Sequence, residues 1–311
     1  MNTEPWHSAA WAIAAALGAG ILLAFGTHLQ STAVKGWHRS PSSRVRIPAF
    51  LLDRRWLSGT ALLGLAIVVQ LWSVTLAAVS LVQPLGISAL VVSALIRSRL
   101  HAPYWNAALL RNVVFCVVGI TLFVGTAAQF AGDAVVSDQT AWTLLGISFL
   151  VFGGAAAASA LRDKIRRTLL IVEAGLLFGI VVTLSKVVLT QPLVWTSGQT
   201  QAALSPEILV ICCLVLVGAT ILGTSLVQMS HRTANPETVV ASLTVIDPLT
   251  AVLLGGLLLG EMQSVPLWAL AAMLCAGALA IVGVIGLAKS KHAPHARETA
   301  GPRAEGRATE R

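Results

Sequence analysis

Three ionisable side chains stand inside runs that are otherwise apolar: Glu173, Lys186 and Asp247. Such residues are rare within membrane spans and carry function by default. Asp247 opens the Asp-Pro pair of TVIDPLTAVLLGGLLLGE, Thr244 to Glu261. It lies about ten residues into its run, hence about 15 Å deep at 1.5 Å per residue, near the middle of a bilayer. Pro248 has no N–H to give to the carbonyl one turn earlier, around Thr244, and that carbonyl becomes free to line a polar cavity. The pair therefore reads as a substrate or coupling-ion site on a disturbed helix. The plainer reading is a protonated aspartic acid bonded to a neighbouring helix. Asp247 is also the candidate ligand should the ion be a metal.

Glu173 lies nearer the start of its run, where it either lines an inner vestibule or answers Arg166 or Arg167 at the surface. Lys186 lies toward the other end. Its long stem can snorkel to the headgroups, or its ammonium can pair with Asp247. Gln83 is the neutral polar candidate beside Pro84, and Gln70, Ser185 and Gln228 are weaker ones, since such residues often only bridge helices. His28, at a helix exit, reads as structural.

These residues must be positioned by membrane spans. The chain has 311 residues, 56% of them hydrophobic and 11% charged, and its mean hydropathy is +0.81. Soluble domains carry about 25% charged residues. Nine runs are long enough to cross about 30 Å of hydrocarbon: about 8–30, 56–77, 79–97, 108–128, 140–161, 168–190, 207–229, 238–260 and 265–288. The second and third are nearly continuous, with their turn near Ala78. The net charge of +8 does not point to nucleic acid, because the basic residues fall in loops between the runs. The loops around 129–139, 191–206 and 261–266 contain no Lys or Arg, whereas those holding Arg39, Arg54, Arg99, Arg166 and Arg232 are basic. The positive-inside rule then puts the N-terminus outside and the C-terminus in the cytoplasm. Trp6, Trp11, Trp72, Trp142, Trp195 and Trp268 fall near the outer boundary, and Trp37, Trp56 and Trp105 near the inner one. The four cysteines, all in apolar runs, read as reduced packing residues.

An offset of 164 positions places LVQPLG (Leu81–Gly86) on VIDPLT (Val245–Thr250), with Pro84 on Pro248. It also places CVVGI (Cys116–Ile120) on AIVGV (Ala280–Val284), with Gly119 on Gly283. The two proline-bearing runs cross in opposite directions, so the expected architecture is an all-α polytopic membrane protein with an inverted repeat. Residues 1–128 form the first repeat, 129–167 a linking span, 168–288 the second repeat and 289–311 a disordered basic cytoplasmic tail. Gln83 then occupies the place of Asp247, and Arg97 that of Glu261. The last two, at helix ends, read as interface anchors, or as a gate or dimer pair.

With these motifs the chain resembles the drug/metabolite transporter superfamily. VVASLTVIDPLTAVLLGGLLLGE (Val239–Glu261) is similar to the EamA-type helix with its proline and terminal Leu-Gly-Glu. AVSLVQPLGISALVVSALI (Ala78–Ile96), Trp56 with Gly59, GTHLQSTAVKGWHR (Gly26–Arg39) and the Lys186 helix resemble NIPA-type magnesium transporters. The resemblance implies alternating-access transport of a small solute or divalent cation, magnesium among the candidates, with no cofactor. The lipid bilayer and the solute are the expected partners, and a homodimer is possible within that family. The expected place is a cell membrane, of the bacterial inner or plasma type. No Gly-x-x-x-x-Gly-Lys-Ser/Thr loop is present, nor His-Glu-x-x-His or Gly-x-Ser-x-Gly, so neither a self-contained ATP-driven pump nor an enzyme is expected. A membrane scaffold or accessory protein is the alternative.

Overall fold

In the computed structural model the described residues are 5–38, 53–100, 107–132, 134, 136–158, 163–196, 203–233 and 236–289. The expected tail 289–311 lies almost wholly outside them. Among the described residues the regular elements are all helices. In chain order they are α1 (Pro5–His38), α2 (Arg54–Leu76), α3 (Val79–Val82), a 3-10 turn (Gln83–Ile87), α4 (Ser88–Leu100), α5 (Ala107–Phe130) and α6 (Asp138–Ala158). Then follow α7 (Asp163–Thr196), α8 (Pro206–Thr233), α9 (Pro236–Leu257) and α10 (Leu267–Lys289). Asp53 caps α2 by accepting the Arg55 N–H at 2.7 Å, which satisfies one of the orphan donors of that terminus.

Eight helical stretches are long and apolar enough to cross a membrane, among them the α3–α4 stretch Val79–Ile96; the apolar part of α9, Ser242–Leu257, is shorter. The outer faces carry large apolar side chains, such as Leu150, Leu257 and Leu267, together with Trp11, Trp72, Trp142, Trp195 and Trp268. Glu261, Gln191, Lys186 and Ser148 are buried inside. Apolar outside with polar groups satisfied inside is what hydrocarbon requires of a helical bundle.

Small residues bring the helices together. A Cβ on Gly119 of α5 would stand 2.6 Å from both Ala276 O and Ala280 N of α10. A Cβ on Gly283 would stand 2.7 Å from Cys116 N and 2.8 Å from Asn112 O. Between the two glycines the Cys116 thiol donates to Ala280 O at 3.8 Å, across 164 positions. The α7–α9 seam works in the same way: Cβ atoms on Gly175 and Gly179 would meet Ile246 and Thr250 within 2.6 Å. Only glycine allows backbones this close.

Candidate functional site

The turn near Ala78 is a break in the helix ladder. α2 ends at Leu76, Ala77 is extended with φ −149 and ψ 175, and α3 starts at Val79. A buried turn between two spans leaves the carbonyls that end one helix and the amides that start the next with no partners of their own. Two charged side chains supply them. Lys186 of α7 donates its ammonium to Val74 O at 2.8 Å and Ala77 O at 2.7 Å. Glu261 accepts the Val79 N–H on Oε1 at 2.7 Å and the Ser80 N–H on Oε2 at 2.9 Å. The cation sits on the negative end of α2 and the anion on the positive end of α3, so both complement the local helix dipoles.

Local structure aims Glu261 there. Gly260 has φ 71, a backbone region natural to glycine, and the turn it makes lets Glu261 N donate to Gly255 O. Around this clasp the same end is tied further. Gly132 N donates to Glu261 O, Ser264 Oγ to Phe130 O, Leu204 N to Gln191 Oε1 and Ser205 N to Asp138 Oδ1. Phe130 and Trp268 close it with an edge-to-face contact at 5.2 Å.

Toward the opposite end, among the described residues, a cavity of about 430 Å³ lies between the second half of α1, α4 and the start of α9. Its polar lining comes from Thr27, His28, Ser31, Ser93 and Thr244. A smaller, apolar chamber of about 60 Å³ adjoins it, lined by Pro84 and Pro248 among others. Thr244 lines both. His28, expected at a helix exit and read as structural, lies inside α1 instead, which runs on to His38, and it lines the larger cavity.

The predicted residues are distributed as follows. Asp247 lies three positions past Thr244, and its Oδ1 is buried with no hydrogen-bond partner. Neither of the two cavities includes it. Pro84 and Pro248 come together in the apolar chamber, but only the stretch with Pro84 departs from α geometry. α9 stays α-helical through Pro248, so the expected disturbance there reduces to one missing bond. Gln83 is buried in the 3-10 turn.

Lys186 does not snorkel. Only 6% of it is exposed, and the carbonyls at the C-terminal end of α2 hold it. Glu261 does not anchor at an interface either: it is fully buried and caps α3. The side chain of Arg97, expected as its counterpart, lies outside the described residues. Glu173 is 7% exposed and turns toward α6, where a Cβ on Gly154 would stand 3.0 Å from its Oε1. That is not the vestibule expected of it, and the side chains of Arg166 and Arg167 lie outside the described residues.

Among the described residues no group of three or more His, Cys, Asp or Glu is placed to hold a metal ion. The arrangement is therefore a largely apolar cavity carrying a few hydroxyls and one imidazole toward one end of a membrane bundle, and an ionic clasp at the other. Compared with known proteins, the chain matches no family model, no curated protein and no solved structure.

Proposed function

We propose that the protein is a secondary transporter of the drug/metabolite transporter type, with nine spans, resting in an inward-open state. The observation that carries the reading is the 430 Å³ cavity at the end of the bundle opposite the Lys186–Glu261 clasp. The connections at the clasp end, 129–139, 191–206 and 261–266, contain no Lys or Arg, which assigns that end to the outside. The cavity then opens to the cytoplasm and the clasp closes the outer side.

The inverted repeat draws support from the α5–α10 seam. Gly119 meets residues 276 and 280, and Gly283 meets residues 112 and 116, so each contact is the other shifted by 164 positions. Reciprocal contact of this kind is the mark of a two-fold axis, and rocking of two such halves is a common transport mechanism. Asp247, on α9 where the vestibule ends, is the coupling residue. A dehydrated divalent cation asks for several oxygen ligands. The lining of hydroxyls and one imidazole fits a small organic solute better than magnesium.

Flux into proteoliposomes containing magnesium-sensitive and pH-sensitive dyes tests this. The wild type should show proton movement driven by members of a panel of small polar solutes, and Asp247→Asn should fall to background while unfolding at the same temperature. Magnesium entry lost in Asp247→Asn would keep the transporter and change its substrate. No flux of any kind from folded wild type would favour a scaffold or accessory protein.

A further inference from the structure

Glu173 has no part in the vestibule, the proline chamber or the clasp. Its surroundings are a second, smaller apolar cluster in which Ala155 of α6, Leu170, Ala174 and Leu177 of α7, and Ala219 and Leu226 of α8 pack together. One carboxyl oxygen faces Gly154 of α6, a position where any side chain would crowd it. The other, Oε2, is buried without a hydrogen-bond partner.

The titratable groups on its own helix and on the helices packed against it are as follows. α6 contributes Asp138, which is far away at the clasp end, accepting from Ser205 N. α8 contributes Glu207 in its first turn, Cys212 and Cys213 further along, and His231 and Arg232 in its last turn. α9 contributes Glu237 and Asp247. α7 itself begins with Asp163, Lys164, Arg166 and Arg167, and its Lys186 is bound in the clasp. Among the described side chains none gives Oε2 a hydrogen bond.

An ionised carboxylate with a bare oxygen in such a cluster is costly enough that the group neutralises instead. A metal cation would need further oxygen ligands, and the nearest residues of the cluster are alanine and leucine. We propose that Glu173 is a proton-binding site: in this conformation it holds a proton on the seam between the linking helix α6 and α7, and it releases that proton only when the seam parts and water reaches it. The proton is thus a condition for α6 to pack on α7. The site is separate from Asp247, which lies on another helix, and the inference goes beyond the transport reading because it requires no flux.

A hydrophobic carbodiimide tests it on the full-length wild-type protein in lipid. The reagent adds to a protonated carboxyl, and the O-acylisourea first formed rearranges to a stable N-acylurea without loss of any group. Peptide mapping by mass spectrometry should find the adduct on Glu173 in mildly acidic buffer and lose it in alkaline buffer. Infrared spectra, which need no reagent access, should show a protonated-carboxyl carbonyl band that is missing in Glu173→Gln. An infrared spectrum unchanged by Glu173→Gln, or labelling of Glu173 that rises with pH, overturns the site. The outcome is independent of the flux assay: an adduct on Glu173 in a protein that moves no solute leaves the proton site standing and removes the transporter.

Discussion

Two stretches of this bundle carry a proline deep in an apolar run, and they solve the resulting problem differently. From Arg54 to Leu100 the chain breaks at Ala77–Ala78, restarts as one short helical turn, tightens into a 3-10 turn at Gln83–Ile87 and continues as α4. From Pro236 to Leu257 it runs on as a single helix through Pro248. The break precedes Pro84 by six residues, so proline alone does not cause it. The contrast shows what a buried turn between two spans demands. Carbonyls and amides left loose at Ala77–Ala78 are held by Lys186 and Glu261, both brought from the later half of the chain. Around Pro248 a single carbonyl loses its donor, and no charged side chain is needed to make it good.

The contrast is broken most directly at Glu261. Glu261→Ala leaves the Val79 and Ser80 amides buried and bare, and should cost about 3–5 kcal/mol, read as a large fall in the unfolding temperature in detergent. Next comes Lys186→Met, which keeps the apolar stem and removes the ammonium. It should cost about 2 kcal/mol by the same measurement, and with Glu261→Gln it should be non-additive, because both side chains hold one break. Smallest is Pro248→Ala, which returns an N–H donor to a helix that is already continuous. It should move stability by less than about 1 kcal/mol. A Pro248→Ala loss as large as that of Glu261→Ala would abolish the distinction between the two stretches.

How far this was legible in the sequence follows from what each residue touches. Apolar runs, their basic connections and the turn near Ala78 are local or compositional, and they could be read directly. The clasp could not. Glu261 meets backbone amides 182 and 181 positions away, and Lys186 meets carbonyls 112 and 109 away. Backbone groups are the same in every residue, so they leave no trace in the pattern of side chains. Snorkelling was the natural expectation for a lysine near a span's end, and burial against a helix terminus overrides it. The contact of Glu173 with α6 could not be read either, because its helix buries more than one face and neither face is marked by polarity: Gly154 is silent until its neighbour is known.

One further consequence belongs to the seam between α5 and α10. Glycines at Gly119 and Gly283 let each backbone nest against the other with no side chain between them, one contact above the Cys116–Ala280 bond and one below it. Two rods notched into each other at two points cannot slide lengthwise without lifting out of both notches, yet they remain free to roll. For the transport proposed above, the seam supplies a fulcrum: motion of α5 against α10 is steered into tilting about this line, which would widen one mouth of the bundle as the other narrows.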